Sequence, residues 1–219
     1  MKKFVPAFIA VLLLLLPLEA PAFHIVGEQI KTKFSIQNDF VDPENGESFT
    51  KQKVIAYFQK GDAGIGGEVF MIPKKDYLRF RPYATLKLGP VTPIIGLSTD
   101  SKGVDHIDAG LWYFRKFGNL GVFIDLRNYW GLNSDSVDFT DNFAALSLNV
   151  NEKFFVGVDI SYDHYWKNKD DWYLVGIPIG YKAVKNVDVF IRPTYEEFIP
   201  EGGKKSGIRS LRMGVNISF

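Results

Sequence analysis

Apolar and polar residues alternate with a period of two through most of the chain after residue 76. In the segment 153–164, every second residue from Phe154 to Tyr162 is apolar or aromatic, while Asp159 and Asp163 occupy the opposite positions. The same alternation runs through 77–88, 119–129, 171–183, 186–196 and 207–219. Because successive side chains of a strand point to opposite sides of a sheet, the pattern predicts strands with one apolar face. The strands exceed the ~5–6 residues typical of soluble sheets and match the ~9–11 that cross a bilayer at a tilt.

The connections between these segments are alternately short and long. The short ones contain Gly, Asn or Pro, which tolerate tight turns, and lie at 88–91, 117–120, 151–153 and 184–187. The longer, polar ones lie at 99–106, 130–142, 165–171 and 198–207. Short turns at one rim and longer loops at the other are typical of an outer-membrane barrel, so the spacing predicts antiparallel hairpins arranged in this way.

The number of strands depends on the less regular N-terminal part. If the segments 28–39, 53–60 and 64–72 are all strands, the sheet has twelve strands. If only 64–72 joins the sheet, it has ten, and residues 23–60 form a periplasmic extension. A single-chain bacterial barrel has an even number of strands, and both readings satisfy that condition. We favour twelve.

The N-terminal residues are typical of an export signal. Two lysines precede an apolar run from Phe4 to Leu16, and the triplet Ala20-Pro21-Ala22 is a small-x-small cleavage sequence. The run is shorter than the ~20 residues of a membrane-spanning helix, which argues against a single anchor. We therefore expect residues 1–22 to be a signal peptide and residues 23–219 to form one barrel domain.

Composition narrows the class further. The chain has no cysteine, so it has no disulfide framework and no thiol chemistry. Residues 23–219 contain equal numbers of basic and acidic side chains, which gives no indication of a nucleic-acid partner. Ten tyrosines, nineteen phenylalanines and four tryptophans make the chain rich in aromatic residues. These features fit either a soluble all-β domain or a transmembrane β-barrel.

The positions of charges and aromatic residues favour the barrel over a soluble β-sandwich. The apolar faces are almost free of charge, whereas the opposite faces carry ions in mid-strand. Aromatic residues on the apolar face lie near both ends of the strands, at Phe117, Phe154, Tyr162, Tyr173, Tyr181, Tyr195 and Phe219. Two aromatic bands around an aliphatic zone are expected at the two membrane interfaces. We therefore predict an all-β transmembrane antiparallel up-and-down barrel, with these residues as its aromatic girdle.

The last segment, 211–219, alternates strictly and ends on Phe219. It resembles the C-terminal signature of Gram-negative outer-membrane β-barrel proteins. The resemblance covers the signal peptide, the rhythm of hairpins and this final strand. It implies an outer-membrane location, contact with outer-membrane lipids and lipopolysaccharide, and recognition of the terminal strand by the barrel-assembly machinery.

The polar faces predict what the interior contains. The residues assigned to the lumen are Arg79, Arg81, Asp125, Arg127, Asp159, Asp188, Arg192 and Arg212. Basic residues are in excess among the inward positions, and rings of Arg or Lys can select anions. A barrel of twelve strands leaves room for an aqueous path, whereas eight strands fill with side chains. We therefore expect a narrow passive channel for small solutes with a preference for anions. In size and strand number it resembles the small, arginine-lined oligosaccharide channels of the outer membrane.

Two other interpretations remain open. Inward charges of both signs could pair, for example Asp125 with Arg127 and Asp188 with Arg192, giving a closed structural barrel. A lipid-modifying enzyme is less consistent with the sequence, because Ser161 and His164 would point to opposite faces of one strand. No metal-binding or nucleotide-binding motif is present, so we predict no catalytic residues, no metal and no cofactor.

Overall fold

The computed structural model describes residues 31–44 and 46–219. It contains thirteen β-strands and one short 3-10 turn at Pro73–Lys75. The strands are β1 (Lys31–Pro43), β2 (Phe49–Lys60), β3 (Ala63–Ile72), β4 (Tyr77–Leu86), β5 (Val91–Asp100), β6 (Asp105–Phe117), β7 (Leu120–Gly131), β8 (Phe139–Asn149), β9 (Phe154–Tyr165), β10 (Asp170–Gly176), β11 (Ile179–Val184), β12 (Val187–Ile199) and β13 (Ser206–Ser218). In these residues no helix is long and apolar enough to cross a membrane.

Every strand pairs with its neighbours in antiparallel fashion, and the sheet closes on itself. The first and last strands pair along their length, from Lys33 opposite Ser218 to Pro43 opposite Ile208. Since β13 also pairs with β12, the hydrogen-bonded ring has no free edge. The fold is a closed up-and-down β-barrel with twelve strand positions, which confirms the predicted fold class and the count of twelve.

Thirteen strands occupy twelve positions because one position is divided between β10 and β11. Both halves pair with β9 on one side and with β12 on the other. The interruption falls at Ile177 and Pro178, where proline has no N–H to donate. The Ile177 amide donates to the Pro193 carbonyl at 3.1 Å, and the Gly157 amide donates to the Pro178 carbonyl at 2.8 Å. The segment 171–183, predicted as one strand, is therefore two strands in line.

The two rims of the barrel differ in part as the spacing predicts. Turns of two to four residues connect the strands at one rim, where β1 also begins and β13 ends. We call this the short-turn rim. The connections at the other, the long-loop rim, have four to seven residues, and the longest are 132–138 between β7 and β8 and 200–205 between β12 and β13. The predicted long connections at 99–106 and 165–171 are shorter than expected, because strands extend into them and leave only 101–104 and 166–169.

Burial in this barrel is the reverse of that in a water-soluble protein. Aliphatic side chains are exposed on the outside, for example Ile65 at 64% and Ile160 at 54%. Ionic side chains are buried inside, including Asp108 at 0% and Arg81 at 3%. A soluble domain hides its aliphatic residues and leaves Asp and Arg in water. The soluble sandwich is therefore wrong, because the apolar faces point outwards and do not pack against a second sheet.

The predicted signal peptide, residues 1–22, lies outside the described residues, and its cleavage stays a prediction.

Candidate functional site

A large interior space lies in the half of the barrel nearest the long loops. It is a cavity of about 930 Å³ that opens toward that rim. Six cationic side chains line it, namely Lys51, Lys53, Lys74, Lys75, Arg79 and Arg212. Four acidic side chains also line it, namely Asp39, Glu47, Asp163 and Glu196. The cavity is therefore a water-accessible, charged space with an excess of basic groups.

On one wall of this cavity, two basic side chains contact the same carboxylate. The Arg79 guanidinium donates to Glu68 Oε1 at 2.8 Å, and Lys53 Nζ lies 3.3 Å from Glu68 Oε2. The strand register explains the group, because Lys53 on β2 and Arg79 on β4 both lie opposite Phe70 of β3, beside Glu68 on the same face. Two positive charges share one negative charge, so this group contributes a net positive charge to the cavity wall.

A buried ion pair crosses three strands beside the cavity. Arg81 on β4 donates through Nε to Asp108 Oδ2 on β6 at 3.0 Å, and its Nη2 bonds to the other carboxylate oxygen. Between them, on β5, lies Gly96. A Cβ at that position would lie 2.6 Å from the Asp108 carboxylate, so any larger residue there would force the carboxylate to move. Tyr83 and Tyr129 lie about the guanidinium, with ring centres 5.5 and 5.4 Å away.

The opposite wall repeats the arrangement. Arg192 on β12 donates through Nε to Asp159 Oδ2 on β9 at 2.8 Å, with a second bond from Nη2 to Oδ1. The strand between them carries Gly176, whose Cβ would lie 2.6 Å from both partners. The expected same-strand partner of Arg192, Asp188, is therefore wrong. Asp188 lies opposite Lys182 and Asn216, four residues before Arg192 on β12.

The other predicted lumen residues also lie on the inner face. Arg127 donates to Asp125 through Nε at 2.6 Å and Nη2 at 2.5 Å, as the same-strand prediction expected. Arg212 lies directly opposite Arg192 in the register and donates to Asp39 at 2.6 and 2.7 Å. Each arginine thus has its own carboxylate, which offsets the cost of placing two guanidinium groups on adjacent strands.

Sequence reasoning missed several inward residues. Asp39 and Lys51 were not assigned to the lumen, although Asp39 holds Arg212 and Lys51 lies 3.5 Å from Glu196. Asp141 was also missed; it lies directly opposite Asp163, whose Oδ1 has no hydrogen-bond partner in the described part of the chain. The alternation Ser35, Gln37, Asp39 could have found the first, since extending it by one step places Asp39 inside.

Aromatic side chains fill the interior next to the buried ion pairs. Tyr57, Tyr83 and Trp112 contact one another with ring centres 5.7 to 6.3 Å apart. Trp112 continues the contact to Phe123, and Phe123 to Phe143. This aromatic layer narrows the interior between the cavity and the short-turn rim.

The predicted girdle residues all lie on the outer face. Phe117, Phe154, Tyr181 and Phe219 lie at the short-turn ends of their strands, and Tyr162, Tyr173 and Tyr195 lie in the half toward the long loops. Phe154 and Tyr181 contact each other at 4.9 Å, as do Tyr162 and Tyr173. Their role at a membrane interface stays a prediction.

The candidate enzyme residues are separated by the barrel wall. His164 lies opposite Asp171 on the outer face, and its Nδ1 is 2.8 Å from Asp171 Oδ1, whereas Ser161 faces the interior cavity. In residues 31–44 and 46–219, no group of three or more His, Cys, Asp or Glu side chains could hold a metal ion. The absence of enzymatic activity stays a prediction.

One ion pair at the long-loop rim changes the pKa of its carboxylate. Lys74 Nζ donates to Glu47 Oε2 at 2.5 Å at the mouth of the cavity. This hydrogen bond and the positive charge of Lys74 lower the pKa of Glu47 below its ordinary value.

Comparison with known proteins identifies the fold. No protein-family model matches the sequence, and no curated protein sequence matches it. The barrel resembles the solved structure "KdgM porin in complex with disordered oligogalacturonate", with a TM-score of 0.61 and 15% identity over 85% of this chain and 99% of that one. It also resembles the NanC porin (TM-score 0.57, 12% identity, 84% and 98% covered) and an anion-selective porin from Comamonas acidovorans (0.51, 7%, 88% and 100%). The chain therefore has the fold of outer-membrane porins.

Proposed function

We propose that the protein is a narrow passive channel of the bacterial outer membrane that carries small solutes and prefers anions. The observation that carries the proposal is the cavity of about 930 Å³, with six cationic and four acidic side chains on its wall. Fixed cations in a space bounded by low-dielectric walls raise the local concentration of anions. The fold shared with porins, one of them solved with an oligogalacturonate, supports an acidic solute.

The excess charge is concentrated where Lys53 and Arg79 share Glu68. Arg79 keeps its carboxylate if Lys53 is neutralised, so the substitution Lys53→Gln removes one charge and leaves no buried ion unpaired. By contrast, neutralising Arg192 would leave Asp159 unpaired and would confound selectivity with misfolding. Lys53 is therefore the residue with which to test anion preference.

The test is the reversal potential of the refolded protein in a planar bilayer with a KCl gradient. The wild type should show discrete openings and a reversal potential on the anion-selective side. Lys53→Gln should shift it toward zero. Lys205→Gln, which removes an equal charge from the loop between β12 and β13, where Lys205 contacts Glu197 at 3.4 Å, should leave it unchanged. Cation selectivity in the wild type would reject the anion preference.

A closed structural barrel is the second candidate, and the aromatic layer favours it. If the layer of Tyr57, Tyr83, Trp112, Phe123 and Phe143 seals the interior, the wild type will not conduct. Trp112→Ala should then open a path, whereas Trp130→Ala, on the outer face and 44% exposed, should not. If the channel proposal holds, the wild type conducts, and Trp112→Ala raises its conductance by about twofold.

We further propose that the exposed aliphatic band faces the hydrocarbon of the outer membrane and that the outer rim contacts lipopolysaccharide. Export through a cleaved signal peptide and recognition of residues 211–219 by the barrel-assembly machinery complete this proposal. Exposed aliphatic side chains around a sheet without free edges support it, because every backbone group is paired within the barrel. Protease accessibility and fractionation of the expressed protein test it: recovery in the soluble periplasmic fraction would contradict it.

A further inference from the structure

The short-turn rim carries a large excess of basic side chains. Its described residues include Arg115 and eight lysines, all of the lysines exposed: Lys31, Lys33, Lys60, Lys87, Lys116, Lys153, Lys182 and Lys185. The acidic side chains at the same rim are three: Asp62, Glu152 and Asp188. No part of the cavity described above reaches these residues, so they form a separate charged region.

Four of these lysines belong to the inner face of the wall. Lys31 and Lys33 share the face of Asp39 on β1, and Lys116 shares the face of Asp108 on β6, since an even number of positions separates each lysine from that aspartate. Lys182 on β11 lies directly opposite the inward Asp188. Because β1, β6 and β11 are spread around the ring of twelve positions, these ammonium groups stand around the mouth of the barrel.

These lysines differ from the paired cations of the interior in making no ion pair within 4.0 Å in the described part of the chain. Within residues 31–44 and 46–219, ion pairs shorter than 4.0 Å are made by Lys51, Lys53, Lys74, Lys169 and Lys205, and by none of the lysines at the short-turn rim. An exposed ammonium is hydrated and needs no partner, so its charge stays available to a ligand. The potentials of several such groups add within a mouth bounded by a low-dielectric wall.

We infer that the short-turn mouth is a binding site for small multivalent anions bearing phosphate or carboxylate groups. Charge number matters because each lysine alone is screened beyond a Debye length of about 10 Å at 0.1 M salt. An anion with several charges interacts with several ammonium groups at once, whereas chloride interacts with one. The site is distinct from the cavity near the long-loop rim and does not require the lumen to conduct.

Isothermal titration calorimetry with inorganic triphosphate tests the site on the whole refolded protein in neutral detergent at low salt. Lys116→Gln/Lys182→Gln removes two inward charges and should weaken triphosphate binding by about tenfold. The matched control is Lys60→Gln/Arg115→Gln, which removes two charges from the outer face of the same rim. Arg115 is the neighbour of Lys116 in sequence, and its guanidinium lies over the Phe117 ring at 5.1 Å. The control should bind within about twofold of the wild type.

The outcomes separate this inference from the proposed channel. Binding that depends on Lys116 and Lys182 supports the site even if the barrel does not conduct. Conductance with no measurable binding of triphosphate, or equal weakening in both double variants, would overturn the site and leave the channel standing. The band shift of the unheated barrel on a denaturing gel checks that each variant is folded.

Discussion

Basic residues serve different purposes in the two halves of the barrel interior. Toward the long loops, arginines on the inner face are paired with buried carboxylates, and some of these bonds span an intervening strand, as the bond from Arg81 to Asp108 does. At the short-turn mouth, lysines such as Lys116 are exposed and have no carboxylate within 4.0 Å in the described part of the chain. The difference indicates that pairing stabilises the barrel where charges are desolvated, whereas unpaired charge is kept where water can reach it.

The largest effect should follow from breaking a buried pair. Asp108→Ala leaves the Arg81 guanidinium desolvated and without its carboxylate, and we expect the free energy of unfolding to fall by about 3–5 kcal/mol. Urea titration of the protein in lipid vesicles, followed by tryptophan fluorescence, measures the change. The double variant Arg81→Met/Asp108→Ala should recover part of the loss, because no isolated charge remains. A loss below about 1 kcal/mol would mean that water already reaches this pair.

The next effect concerns the glycine beneath the second pair. Gly176→Ala would place a Cβ 2.6 Å from both Arg192 Nε and Asp159 Oδ1, and we expect a loss of about 1–3 kcal/mol from overpacking. Gly67→Ala is the control, since its Cβ would have its nearest neighbour at an ordinary 3.6 Å. The same urea titration compares the two. Equal stabilities would contradict the requirement for glycine under the ion pair.

A smaller effect is expected at the other end of the interior. Lys116→Gln should change the free energy of unfolding by no more than about 0.5 kcal/mol, because an exposed ammonium without a close carboxylate contributes little to stability. Set against Asp108→Ala, this substitution measures directly the contrast between paired and unpaired cations. A loss above about 1 kcal/mol would reveal a hidden partner of Lys116.

The smallest effect concerns the loop contact at the mouth of the cavity. Lys74 lowers the pKa of Glu47, so the contact should persist as the pH falls through the ordinary range of a glutamate and be lost only below it. A group with a lowered pKa contributes its stabilisation at higher pH, and that contribution disappears on acidification through the folded-state pKa. NMR titration of Glu47 measures this directly. Lys74→Gln should return the Glu47 pKa toward its ordinary value; an unchanged pKa would contradict the assigned cause.

The fold could be predicted from sequence because the geometry of a membrane barrel follows from local features of its sequence. Alternation fixes which residues face inward, and the two lengths of connection fix the rims, so twelve strands followed from the segments 28–39, 53–60 and 64–72. The division between β10 and β11 was not predicted, since Ile177 keeps the apolar alternation and is 49% exposed, like its neighbours on the outer face. Only the missing N–H of Pro178 breaks the ladder there.

The partners of the buried ions were predicted less well than the side of the barrel wall on which each residue lies. The pair Asp125–Arg127 could be inferred because it lies on one strand. The partner of Arg192 could not, since Asp159 is two positions away around the barrel and is reached only over Gly176. Alternation shows whether a side chain points inward or outward, but it does not give the register between neighbouring strands. The register decides which charged side chains meet.

The ion pairs that cross a glycine also act as a check on how the strands are aligned. Arg81 and Asp108 can meet only when β4, β5 and β6 are all in place. A slip of β5 by one residue would bring Ile95 or Leu97 beside the Asp108 carboxylate in place of Gly96, and the aliphatic side chain would then face inward. In a misaligned sheet, Arg81 and Asp108 would be buried without each other, which costs several kcal/mol. The correct alignment of the hairpins is therefore favoured by this electrostatic cost as well as by backbone hydrogen bonding.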